Sequence, residues 1–291
     1  MQQQALWTRL KVEYPQLTFC KGMTRMFLIG GSKKKIAQQL SQRVGSYVNP
    51  PYAYSVSNNM MLIIIRHVNS KQMAAVRDDA AQNGEELYAA GQCAEALIPL
   101  QRAIDFGDTT SLALMAWLLI FGRKGVAENQ ERAFELAEEG VRLGCYHCQG
   151  VLAFCYFFGH GCKKNQAQSL ALAHKSSGLG SKYGLLTLGW FHFCGVGFAT
   201  DNAQAVAFYQ QAAAQDIDGA KYMMGEMYCY GWGVAFDKAE ALRWYQLAAA
   251  QGHPEALFKV AFCHERGWGV PESRTQAFRL YKLAKEAGCL C

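Results

Sequence analysis

The sequence predicts an all-α solenoid: paired helices stacked at a 36-residue period behind a small, basic α+β segment. Three observations carry this prediction. Gly125, Gly161, Gly197, Gly233 and Gly269 stand 36 residues apart. Good helix N-cap residues, Asn129, Asn165, Asp201, Asp237 and Ser273, follow at the same period. The charge balance also changes sign near residue 76. Residues 1–76 hold ten Lys or Arg and one acid, a net of +9, whereas residues 77–139 hold five basic and twelve acidic residues, a net of −7. Such a shift marks a boundary. It divides the chain into a basic segment over 1–76, a degenerate leading repeat or cap over 77–107, and five repeats over 108–291.

Taken in order, residues 24–68 read as strand, helix, strand. Arg25–Ile29 is apolar and stops at Gly30-Gly31. Ser32 caps a helix over Lys33–Arg43, and Met60–Ile65 is rich in β-branched residues. A further helix covers Lys71–Gln82. Gly84–Gly107 reads as an atypical leading unit, as end caps of repeat arrays are. Each full repeat reads as two helices. In the third copy the first runs over 184–194. A Gly-x-Gly turn breaks it, because glycine accepts positive φ. The capped second helix runs over 202–214. The column Ala153, Gly189, Gly225 and Ala261 lets helices approach closely, and Tyr156, His192, Tyr228 and His264 form a second column three residues on. One such unit cannot bury its apolar face alone, so units stack.

Composition excludes several classes. Apolar residues make up 51% of the 291 and charged residues 18%, which excludes general disorder. The longest apolar run, Leu112–Phe121, has ten residues, short of the ~20 that span a bilayer. No basic leader followed by an apolar stretch opens the chain. Eleven cysteines, an odd number set mostly among apolar residues, read as reduced buried thiols and a cytoplasmic location.

Met224-Gly225-Glu226-Met227-Tyr228-Cys229-Tyr230-Gly231-Trp232-Gly233-Val234, with Lys238-Ala239-Glu240-Ala241-Leu242-Arg243-Trp244-Tyr245, resembles the Sel-one-like repeat, a relative of the tetratricopeptide repeat. The resemblance covers about residues 108–291 and is looser in the first two copies, where Cys162 stands in place of Val. It implies a right-handed superhelix whose first helices line a concave face. It also implies adaptor or scaffold work without a catalytic centre. A cysteine-rich branch of the family staples each repeat near the end of the second helix. Here that column reads Arg142, Gly178, Ala214, Ala250 and Glu286, so those disulfides are not available.

The candidate interaction residues lie on the first helices. Five residues before the turn glycine, the column reads Trp117, Phe154, Trp190, Glu226 and Phe262, a ladder of large aromatics and one acid. Tyr230 and Arg266 flank it, with Tyr183 and Tyr222 near the helix starts. Aromatics with an occasional charge are typical of binding hot spots. The competing reading is that they pack on neighbouring helices. Glu226 favours binding, because an isolated buried carboxylate is costly.

The partner expected in the groove is a protein or peptide. The alternative uses the basic segment, with Lys33, Lys34 and Lys35 at a helix N-terminus as an anion site. It would bind nucleic acid or an anionic surface while the repeats recruit a protein. Docking of the basic segment on the acidic first repeats is a third possibility. No phosphate-loop, Ser–His–acid or HExxH pattern is present, so neither enzyme activity nor a cofactor is expected. Cys145-Tyr-His-Cys148 with His160-Gly-Cys162 has metal-like spacing, but repeat phase separates the two halves by about ten helical residues, ~15 Å, and no metal is expected. His192 and His264 read as packed, hydrogen-bonded core residues. The last repeat has no polar cap, which leaves the oligomeric state open.

Overall fold

The computed structural model describes residues 70–289 other than Lys124. The strand–helix–strand expected over 24–68 lies outside them, as do Lys33, Lys34 and Lys35. The chain divides into two compact units, residues 1–77 with 105–107, and residues 78–104 with 108–291; the solenoid is the second. The described residues form twelve helices: α1 (Ser70–Ala89), α2 (Cys93–Asp105), α3 (Thr110–Phe121), α4 (Gln130–Arg142), α5 (Tyr146–Phe158), α6 (Gln166–Gly178), α7 (Lys182–Cys194), α8 (Asn202–Ala213), α9 (Asp218–Tyr230), α10 (Lys238–Ala250), α11 (Pro254–Arg266) and α12 (Arg274–Glu286). From α3 onward they pair, and no strand occurs among the described residues.

The turn between partner helices is built the same way in repeats two to five. Gly159, Gly195, Gly231 and Gly267 end the first helices in the left-handed region, at φ 84°, 65°, 70° and 64°. A side chain is strained there, which is why glycine recurs. The N-cap residue that follows satisfies two needs. Its side chain accepts a free N–H of the second helix: Asn165 from Gln168, Asp201 from Gln204, Asp237 from Glu240 and Ser273 from Gln276. Its own N–H donates back to a first-helix carbonyl: Asn165 to Tyr156, Asp201 to His192, Asp237 to Tyr228 and Ser273 to His264, at 2.8–3.0 Å. The Tyr/His column therefore acts through its backbone. His192 is packed between Phe198 and Phe208, at 4.7 and 5.3 Å between ring centres. The Nδ1 atoms of His192 and His264 are sealed without a hydrogen-bond partner, so these rings are packed but not hydrogen-bonded there as expected.

The small-residue column matches the partner helix by size. A Cβ on Gly189 would lie 2.3 Å from the Tyr209 ring, and one on Gly225 would lie 2.5 Å from Tyr245. Where the first helix carries Ala153, the facing residue is Ala173 instead. Close packing of this kind leaves no slack for an added methyl.

Solenoid units usually touch only their neighbours. This one also closes on itself. Tyr88 of α1 and Trp117 of α3 both reach Asp218 at the start of α9, 130 and 101 residues away in sequence. The indole of Trp117 lies beside Gly219, within 3.4 Å of where a Cβ would stand. First helices of repeats one to four thus meet in one core, which also takes in Tyr88, Cys93, Ala96 and Leu100 of the leading pair.

Candidate protein-interaction surface

The closure divides the predicted ladder. Trp117 and Phe154 are buried and pack edge-on at 4.9 Å between ring centres, and Tyr183 packs on Trp117 at 5.1 Å. No partner can reach these three in the closed solenoid. Their burial has a direct cause. With repeat four brought against repeat one, the inner face that the repeats would otherwise present is filled by the chain itself.

Further along, the ladder reaches the surface. Trp190 is half-buried and packs on Phe158 and Phe193. Phe193 meets Trp232 at 5.1 Å, and Trp232 stacks on Tyr230 at 4.5 Å. Tyr230 is 52% exposed. The Lys259 ammonium lies 5.5 Å from the Tyr230 ring, within cation–π range. On the same face of α11, Phe262 packs on Trp268 and lies 5.6 Å below the exposed Arg266 guanidinium. Tyr222 stacks on His253 at 4.8 Å.

Glu226 is not an isolated carboxylate. Tyr245 donates its hydroxyl to Oε1 at 2.5 Å, and Lys259 Nζ lies 2.8 Å from the same oxygen. The side chain is 13% exposed. The desolvation argument for its free exposure therefore fails, because the second helix of its own repeat supplies Tyr245 and the first helix of the next repeat supplies Lys259. These contacts hold Lys259 charged: its pKa is raised, since the carboxylate outweighs the opposing effect of burial. The same acid and burial push the Tyr245 hydroxyl up.

The sequence reading missed the group that closes the inner face. Repeat one has an extra residue between its turn glycines, Gly122-Arg123-Lys124-Gly125 where later copies have Gly-x-Gly. Arg123 and Val126 bridge across this longer turn with hydrogen bonds of 3.0 and 2.7 Å. The Arg123 guanidinium then meets Asp218 at 2.7 Å, with both side chains buried. Asp218 also accepts from Tyr88 Oη at 2.8 Å and Trp117 Nε1 at 3.1 Å. Burial alone would raise the Asp218 pKa, but the Arg123 charge and the hydrogen bonds from Arg123 and Tyr88 hold it well below the ordinary carboxylate range. Two departures from the period signalled this site: the one-residue insertion at Arg123, and an acid at 218 beside Ile217, which cannot cap a helix. Beside it, the Asp216 and Lys221 side chains pair, and Gln251 bonds both, at 3.2 and 2.9 Å.

Among the described residues, no group of three or more His, Cys, Asp or Glu is arranged to hold a metal ion. No described helix is long and apolar enough to cross a membrane.

Stacked two-helix units with glycine-ended first helices and capped second helices place the chain among the α-solenoid repeat proteins. More particularly, it belongs to the Sel1 repeat family, whose pattern matches residues 110–145, 147–181, 183–217, 219–253 and 254–289. Sel1 repeat proteins are commonly protein-interaction scaffolds, and their fold is typically non-enzymatic. A Sel1 repeat protein from Oxalobacter formigenes is 23% identical over 70% of this chain and 83% of its own, with a TM-score of 0.47. The c5321 protective antigen of uropathogenic Escherichia coli is 24% identical over 76% of this chain and 49% of its own, with a TM-score of 0.45. Immunity protein Pa5087 of Pseudomonas aeruginosa is 19% identical over 74% of this chain and 81% of its own, with a TM-score of 0.45. No curated protein matches this chain.

Proposed function

We propose that the protein is a non-enzymatic scaffold that holds a protein or peptide partner on the accessible part of its first-helix face, from Trp190 across Tyr230 to Phe262 and Arg266. The observation that carries this reading is the Phe193–Trp232–Tyr230 stack, half-buried at one end and 52% exposed at the other, beside Lys259. Stacked aromatics with a neighbouring cation bury large area on contact at little conformational cost, and Trp, Tyr and Arg dominate binding hot spots. The Glu226–Lys259 pair fixes the cation and adds a polar mark for specificity. Trp117, Phe154 and Tyr183 support the surface from below.

The test compares the full chain with a Tyr230→Ala, Arg266→Ala double variant. Both side chains are exposed, so thermal stability should be unchanged. Partners crosslinked to the full chain in its host lysate should be lost or bound at least about tenfold more weakly by the variant, which corresponds to ~1.4 kcal/mol. Equal retention of the same partners by both proteins would place binding elsewhere.

A further inference from the structure

The Cys145-Tyr146-His147-Cys148 sequence is left unused by the scaffold reading, and its placement is unlike that of the other described cysteines. Cys145 is the N-cap of α5. The same position in the later repeats is Ser181, Ile217 and His253. Where that residue can accept, it caps the helix: Ser181 Oγ takes the Gly184 N–H at 3.4 Å, and His253 Nδ1 takes the Ala256 N–H at 3.3 Å. In repeat two the acceptor is sulfur, and Cys145 Sγ takes the Cys148 N–H at 3.4 Å. A thiolate is a far better acceptor than a thiol, and the positive end of the helix favours it.

The second cysteine occupies a position that is Gly184, Ala220 and Ala256 in the later repeats. Room is made for its sulfur by Gly140, where a Cβ would stand 2.1 Å from Cys148 Sγ. Cys148 is fully buried and donates its thiol to Thr109 O at 3.7 Å, whereas Cys145, just outside the helix, keeps 6% of its surface exposed and is the more accessible of the two. The place of a Gly140 Cβ lies 2.7 Å from Cys148 Cβ and 3.8 Å from Cys145 Cβ, so the two Cβ atoms cluster closely, and a shift at the helix start brings them to the ~3.5–4.5 Å of a disulfide.

We propose that Cys145 and Cys148 form a redox-active dithiol that reacts with low-molecular-weight disulfides of the glutathione type. The outer Cys145 thiolate attacks one sulfur of the disulfide and expels one thiolate, leaving a mixed disulfide on Cys145. Cys148 then loses its proton to solvent, attacks Cys145 Sγ and expels the second thiol. The two protein thiols are oxidised to one disulfide, and the small disulfide is reduced to two thiols. The neighbouring Cys148 side chain, with the backbone N–H groups of Cys148 and His147, brings Cys145 down to about 6, against the opposing effect of burial. The nearness of Cys145, then burial, pushes Cys148 up, and it holds its proton until the mixed disulfide has removed the charge on Cys145. The other titratable groups that face the pair are Asp108, before α3, and Tyr183 of α7.

The experiment treats the reduced full chain with glutathione disulfide, traps the thiols by alkylation and maps the products by mass spectrometry. The expected first product is a Cys145–Cys148 disulfide. Cys148→Ala, using the side chain of repeats four and five, should stall with glutathione on Cys145. Cys145→Ser, using the side chain of repeat three, should abolish both products. In the unaltered protein the alkylation rate of Cys145 should rise with a midpoint near about 6, below that of the exposed Cys194. Oxidation of Cys194 with the pair left reduced, or a Cys145 midpoint no lower than that of Cys194, would overturn the proposal.

Discussion

Replacing Asp218 with alanine is expected to lower the stability of the solenoid by about 3–5 kcal/mol, the usual cost of leaving one member of a buried ion pair alone. Arg123 would then sit buried without its carboxylate, and Tyr88 and Trp117 would each lose an acceptor. The control is Asp201→Ala. That aspartate also stands at a helix N-terminus, but it is exposed and only caps, so its loss should cost about 1 kcal/mol. Urea unfolding measures both. Because the carboxylate ties repeat four to repeat one, its removal should also broaden the transition, as units fall back on nearest-neighbour contacts. Equal costs for the two variants would show that the closure contributes nothing beyond a helix cap.

Acid should act on the same elements. Arg123 and the hydrogen bonds hold the folded Asp218 pKa below its ordinary 3.8, so its contribution is complete at neutral pH and is lost as pH falls below about 4. Histidines lose stability earlier. Burial lowers His253, which caps α11 through Nδ1 and so stays neutral beside Glu255, and pushes His147 down to about 4. A lowered imidazole pKa gives stability that is present above the ordinary 6.5 and lost as pH falls beneath it. The urea midpoint should therefore fall between about pH 8 and pH 5, before carboxylates titrate. A flat profile over that range would contradict the burial of these rings.

The second large effect separates the two ends of the ladder. Trp117→Ala should cost about 3–5 kcal/mol, through the cavity left among Phe121, Phe154 and Tyr183 together with the lost bond to Asp218. Phe262→Ala removes a half-buried ring of the same column and should cost about 1 kcal/mol or less. Its effect should fall on partner binding instead. Thermal unfolding and partner titration of the two variants decide the matter, and similar destabilisation by both would make the whole column core.

Much of this molecule is legible at the level of local chemistry. The glycine ladder fixes where first helices end, because only the left-handed region turns the chain there. The capping column fixes where second helices start, because free N–H groups need an acceptor. Size pairing of Gly189 with Tyr209 and Gly225 with Tyr245 follows from the small-residue column. The candidate surface was legible only in part. A column argument assigns Trp117 and Phe262 the same environment, since it assumes that every repeat sees the same neighbours.

The sequence by itself determined the repeat, its two-helix unit, its turns and the family, because these rest on contacts within one unit or between adjacent ones. The tertiary structure decided which ladder residues face a partner and which are sealed. That outcome depends on how tightly the superhelix winds, and hence on contacts about a hundred residues apart. It also gave Glu226 its partners in Tyr245 and Lys259, which come from the next two helices. Arg123 and Asp218 break the period at two distant points, and only folding shows that the two breaks meet.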